Sequence, residues 1–380
     1  MSGAVLLVLA VGAFVAYVNG ANDVSKGIAT LVGSGVTSYR RAVLWGTAWT
    51  AVGGMAAVAL GGAMAKTFGN GLLASGTIAT FPAAIATIAG AALWVLIATR
   101  RGLPVSTTHA IVGSLTGVAA FAYGIAGVRW GAVGSKVLLP LLLSPIAALG
   151  LAILLLRVSR FLAGCASSAD DCLCAGLEPV ATVVPDRQGA TMSAVLVPIG
   201  VRMRLFTGGA DECAREGDGV LRLGVDHLHW LTSGVTNLAR GLNDAPKMAA
   251  LMMTAALLGG GAAIPTTAMI VLVTLGMVAG SIVAGRRVTR VLAEHVTPLD
   301  HREGFVANLV TSSLVLGGAL GGLPMSTTHV SASAIIGAGM QRTPPSVDRS
   351  VVRQMLLAWV VTLPGAGVLG VASYVLLTAL

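Results

Sequence analysis

The sequence predicts an all-α integral membrane protein of about ten to twelve transmembrane helices, in two inverted repeats with broken or re-entrant helices at the midplane. Three observations lead there. The 380-residue chain is 55% hydrophobic and 10% charged, with a mean hydropathy of +0.86. A soluble domain carries about 25% charged residues, so this chain lacks the polar surface to cover itself in water. Second, Gly102-Leu103-Pro104-Val105-Ser106-Thr107-Thr108-His109 recurs as Gly322-Leu323-Pro324-Met325-Ser326-Thr327-Thr328-His329. Third, Gly20-Ala21-Asn22-Asp23-Val24-Ser25-Lys26 recurs as Gly241-Leu242-Asn243-Asp244-Ala245-Pro246-Lys247. Asp23 precedes Pro104 by 81 positions and Asp244 precedes Pro324 by 80. Two unrelated motifs in one order at nearly one interval mark an internal duplication.

The segments follow in order. The N-terminus has no basic region or cleavage site of a secretory signal and is read as a retained helix. Residues 2–36 carry only two charges, Asp23 and Lys26. As a straight helix they would run to about 50 Å, well past a hydrocarbon core of roughly 30 Å. The excess, with Gly20-Ala21-Asn22-Asp23, predicts a break near mid-membrane. Further spans are read at 42–63, 77–98, 103–123 and 137–156, then at 227–257, 263–285, 306–322, 323–340 and 355–380. The Ser-Thr-Thr-His motif opens the fourth segment of each half. The chain therefore divides into a first membrane repeat (1–157), a cytoplasmic linker (158–226) and a second repeat (227–380). Fifty glycines suit closely packed membrane helices.

A net charge of +9 would also suit nucleic acid, but the basic residues punctuate apolar runs instead of forming a patch. Their role is topology, and the bilayer is the partner. Five crossings per repeat invert the second repeat relative to the first. With the N-terminus outside, thirteen arginines, Arg40, Arg41, Arg100 and Arg101 among them, face the cytoplasm, against Lys66, Arg129 and Lys136 outside. The chain is then a multi-pass protein of the cell membrane with both termini outside. Its oligomeric state is left open, a homo-oligomer included. Cys165, Cys172, Cys174 and Cys213 all fall in the linker, match no common zinc spacing, and in the cytoplasm would be reduced thiols. No metal or cofactor is called for.

The two motifs carry the chemistry. Pro104 followed by Ser106-Thr107-Thr108 and apolar residues reads as a helix start, with Ser or Thr as N-cap. A helix that starts inside a membrane presents unpaired N–H groups and its positive dipole end there, a ready anion site. Ser326, Thr327 and Thr328 repeat this from the opposite direction. Asp23 and Asp244 are intramembrane carboxylates, costly unless functional, and with Asn22 and Asn243 they supply hard oxygen ligands suited to a small cation. Lys26 and Lys247 stand one helical turn beyond each Asp, as counter-charge to an anion or as a tethered cation where a mobile one would bind. His109 and His329 are read as orienting or packing residues. Ser106 with His109, and Ser326 with His329, also have the spacing of a nucleophile and base. Neither copy has an obvious third group, and the chain is not read as an enzyme.

The duplicated Asn-Asp and Pro-x-Ser-Thr-Thr-His segments resemble the inorganic phosphate transporter (PiT) family, over both halves and excluding the linker. The resemblance implies an inverted-repeat secondary transporter of phosphate by alternating access, with sodium coupling in many members and sulfate as the alternative cargo in some. It implies that Ser106, Thr107, Thr108, Ser326, Thr327 and Thr328 contact the anion, and that Asn22, Asp23, Asn243 and Asp244 form the anion and cation sites. Family signatures usually continue Asn-Asp-x-Ala-Asn-Ala, with asparagine where this chain has Lys26 and Lys247. A fixed ammonium would repel sodium, so proton coupling is expected in preference to sodium coupling.

Overall fold

The computed structural model describes residues 2–69, 71–164, 172–188, 191–208, 221–260, 264–342 and 344–379. Two compact units emerge: one of Met1–Arg157 with His229–Leu380, and one of Val158–Leu228. The smaller unit is where the all-α expectation needs correction. Strands β1 (Cys172–Gln188), β2 (Thr191–Gly208) and β3 (Leu221–Gly224) form an antiparallel sheet in the order β2-β1-β3. β-Branched runs such as Val180, Thr182, Val183 and Val184 favour extended backbone, a signal masked in the sequence by interspersed Pro and Gly. Cys172 and Cys174 lie on β1, while Cys165 and Cys213 lie outside the described residues.

The larger unit is helical. Its first half holds α1 (Gly3–Asp23), α2 (Ser25–Gly33), α3 (Tyr39–Leu60), α4 (Gly62–Gly69), α5 (Phe81–Arg100), α6 (Thr107–Tyr123) and α7 (Leu139–Gly164). The second half holds α8 (Val225–Leu258), α9 (Thr266–Ala284), α10 (Arg286–Arg290), α11 (His301–Leu320), α12 (Thr327–Met340) and α13 (Arg349–Ala379). Among the described residues, seven helices are long and apolar enough to cross a membrane. Helices α6 and α12 fall short of that length, at 17 and 14 residues, or roughly 26 and 21 Å.

In place of a full break, the α-helix is interrupted at a single residue, Val24, between α1 and α2, where the backbone stays in the helical region at φ −57 and ψ −32. There the Asn22 carbonyl accepts from Ser25 Oγ at 2.7 Å and from Lys26 Nζ at 2.6 Å, and these side chains draw it from the helical ladder. The second copy differs: α8 runs unbroken through the same motif, with Pro246 in its interior.

The motif Gly-Leu-Pro-x-Ser-Thr-Thr-His is a stop followed by a start. Gly102 adopts φ +74 and Gly322 φ +67, the left-handed conformation that glycine enters without a Cβ penalty. Leu103 N–H returns to the Ala98 carbonyl and Gly102 N–H to Thr99; Leu323 returns to Gly318 and Gly322 to Ala319. Both are Schellman closures. Three residues later Ser106 and Ser326 each accept the N–H of the histidine three positions on, both at 3.2 Å, and cap α6 and α12.

Glycines let helices of opposite halves touch. A Cβ on Gly20 of α1 would collide with the Met277 carbonyl of α9, and one on Gly53 of α3 with the Leu238 carbonyl of α8. Helix α13 packs on α5 and α6, while Gly337 of α12 meets the Leu149 carbonyl of α7. Each half thus buries its motif helices against the other.

Candidate functional site

The twelve residues expected to contact the anion or the coupling ion are all buried, none more than 4% exposed. The structure brings them into one cluster where α1, α8 and the starts of α6 and α12 meet.

Each asparagine is a clip between the two motifs. Asn22 donates to Thr99 Oγ1 at 2.9 Å and to the Leu103 carbonyl at 3.1 Å, while its Oδ1 accepts Val105 N–H at 3.3 Å. Asn243 donates to the Met325 carbonyl at 3.0 Å and accepts Met325 N–H at 3.4 Å. A planar amide offers both donor and acceptor, which a strand-like loop requires and a carboxylate would not satisfy.

The Asp–Lys pairs form as one-turn spacing predicts. Lys26 Nζ lies 2.9 Å from Asp23 Oδ1, and Lys247 Nζ 3.2 Å from Asp244 Oδ1. Lys26 donates also to the Asn22 Oδ1 and carbonyl, both at 2.6 Å. Its ammonium is thus held by three hard oxygens. Lys247 instead crosses to the other half and donates to Thr108 Oγ1 at 2.8 Å.

The two helix starts touch. Thr328 Oγ1 donates to the Val105 carbonyl at 2.8 Å, and Ser331 Oγ to the Lys26 carbonyl at 2.9 Å. The rings of His109 and His329 are 4.4 Å apart, and His329 stacks on Trp359 at 4.0 Å. Trp359 Nε1 then donates to the Pro104 carbonyl. Both serine hydroxyls accept backbone N–H groups, as caps, and the imidazoles lie against each other. That geometry does not assemble the nucleophile–base pair that the Ser-x-x-His spacing allows.

Sequence reasoning missed two members. Asn19 donates to Asp23 Oδ2 at 2.8 Å, to Thr107 Oγ1 at 3.1 Å and to Asp244 Oδ2 at 3.3 Å. It therefore joins the carboxylates of the two halves, and Thr107 Oγ1 adds a bond to Asp23 at 3.2 Å. Arg240, fully buried, donates through Nη2 to Thr50 Oγ1 at 2.5 Å and to Ser281 Oγ at 3.3 Å. Asn19 and Arg240 each stand four positions before their aspartate, on the same helix face. An arginine inside a predicted span is itself a signal of function, and it went unread because the motif begins one residue later.

Fold and site together define a class: a multi-helix membrane protein with a buried cluster of charged and polar residues where its two halves meet. The comparisons make it specific. A match to the Phosphate transporter family spans residues 19–370, and the chain belongs to that family. A Pyrococcus abyssi protein that carries the name phosphate permease is 29% identical, covering 98% of this chain and 97% of its own. A Mycobacterium tuberculosis protein named as a low-affinity inorganic phosphate transporter is 27% identical over 94% of this chain and 74% of its own. A solved structure described as the sodium-dependent phosphate transporter shares the fold, with TM-score 0.76, 20% identity and full coverage of both chains.

Proposed function

We propose that the protein is a secondary transporter that moves inorganic phosphate across the cell membrane by alternating access of two inverted repeats. The observation that carries this reading is the meeting of two N-capped helix starts, one from each half, over one sealed cluster of hydroxyls and charges. First-turn amides and the hydroxyls of Ser106, Thr107, Thr108, Ser326, Thr327 and Thr328 suit a tetrahedral oxyanion, with Asp23 and Asp244 beside it. The names carried by the relatives favour phosphate over sulfate. With every one of these residues buried, a ligand enters only when the halves move, which favours a carrier over an open channel. Both termini are assigned outside and the linker to the cytoplasm, from the arginine distribution.

Coupling follows from the lysines. Lys26 fills a three-oxygen cradle of the kind a small cation would use, and Asn22, Asn243, Asp244 and Lys247 complete the coupling set. The tethered ammonium takes the place of sodium, and protons drive uptake. Radiolabelled phosphate uptake into vesicles containing the purified protein, with sodium and pH varied independently, tests both points. Uptake should respond to an inward proton gradient and not to sodium. A steep sodium dependence would remove the lysine argument, and stronger competition by sulfate than by phosphate would make the chain a sulfate permease.

A further inference from the structure

We infer that Arg240 is the counter-charge of the transported anion and donates to it directly, an assignment that rests on the transporter reading above. Asp23 is matched to Lys26 and Asp244 to Lys247. Among the described residues of the cluster, Arg240 has no carboxylate at ion-pair distance, although both aspartates lie within its electrostatic reach. Three cations against two carboxylates leave one surplus positive charge, and it sits on this guanidinium.

The hydrogen-bond inventory points the same way. Arg240 is 0% exposed, and among the described residues only Nη2 has partners, with none for Nε and Nη1. A sealed guanidinium with two idle nitrogens weakens the bundle and persists where a ligand uses it. Thr50 and Ser281, on α3 and α9, hold the end of the side chain in place. The equivalent position in the other half is Asn19, a neutral amide already occupied by both carboxylates and Thr107. The anion would then meet a positive charge from α8 with no positive counterpart at the equivalent place on α1, a one-sided arrangement that the duplicated motifs do not suggest.

The test uses the purified full chain in detergent, with equilibrium binding of radiolabelled phosphate and of sulfate and with thermal unfolding of the ligand-free protein. Arg240→Gln should weaken anion binding about 10- to 100-fold, the scale of a lost charge-assisted bond. Its ligand-free unfolding temperature should hold or rise, because an unmatched buried charge has been removed. Arg240→Lys should recover part of the binding. Undiminished binding in Arg240→Gln overturns the assignment, and so does a lowered ligand-free unfolding temperature, the mark of a structural role. If the wild type binds sulfate and not phosphate, and Arg240→Gln loses sulfate, the phosphate reading fails while the Arg240 assignment stands. A wild type that binds neither anion overturns both.

Discussion

At the first Asn-Asp motif the helix is interrupted at one residue, the lysine turns back on its own half, and a neutral Asn19 ties Asp23 to Asp244. At the second, the helix runs on through Pro246, Lys247 crosses to Thr108, and a buried arginine replaces the neutral amide. What the halves share is scaffold: the Schellman closure, the serine cap, the asparagine clip and the Asp–Lys pair. What they do not share is charge and reach. A duplication keeps the parts that build two buried helix starts, and leaves each copy free to diverge where a ligand or an ion would touch.

The sharpest way to break that comparison is through the ion pairs. Asp23→Asn takes the counter-charge from the buried Lys26 ammonium, leaving it only the two Asn22 oxygens, and should cost about 3–5 kcal/mol, read as a fall in unfolding temperature in detergent. Adding Lys26→Met should return most of it. Asp244→Asn should cost more, since Lys247 keeps only its bond to Thr108 where Lys26 keeps two to Asn22; equal losses would mean that the two pairs are interchangeable after all. Asn19→Ala should come next, at about 1–3 kcal/mol for buried carboxylates left short of donors, and should also slow phosphate uptake if the bridge positions Asp23.

The two left-handed glycines sharpen the contrast further. Gly102→Ala and Gly322→Ala each force an L-residue into that region, at about 1–2 kcal/mol. The second should cost more. Its new methyl would lie 2.7 Å from the Ala63 Cβ, whereas the first meets the flexible Arg287 side chain at 3.3 Å. Denaturant titration of both variants checks the order. Smallest are the caps: Ser106→Ala and Ser326→Ala should each cost about 1 kcal/mol and equally, because their geometries match. Any larger fall in phosphate affinity than in stability would show that those hydroxyls touch the ligand.

Much of this was legible because the signals are local. Pro104 followed by Ser106-Thr107-Thr108 reads as a helix start from local chemistry alone, and an aspartate and a lysine one turn apart lie on one helix face. The sheet within 158–228 was not legible, because Pro and Gly interrupt its β-branched runs. Asn19 was missed for another reason: a polar residue near a motif gains meaning only from what faces it, here a carboxylate 225 positions away.

The sequence by itself determined the class, the duplication, the two helix starts and the one-turn spacing of the Asp–Lys pairs, since each follows from composition or from contacts within one or two turns. Tertiary structure alone decided which half each lysine serves, that the two histidines meet, and that Arg240 stands sealed with no carboxylate at ion-pair distance among the described residues. Those outcomes depend on helices packing glycine-to-carbonyl across the two halves, and at such distances along the chain no spacing rule applies.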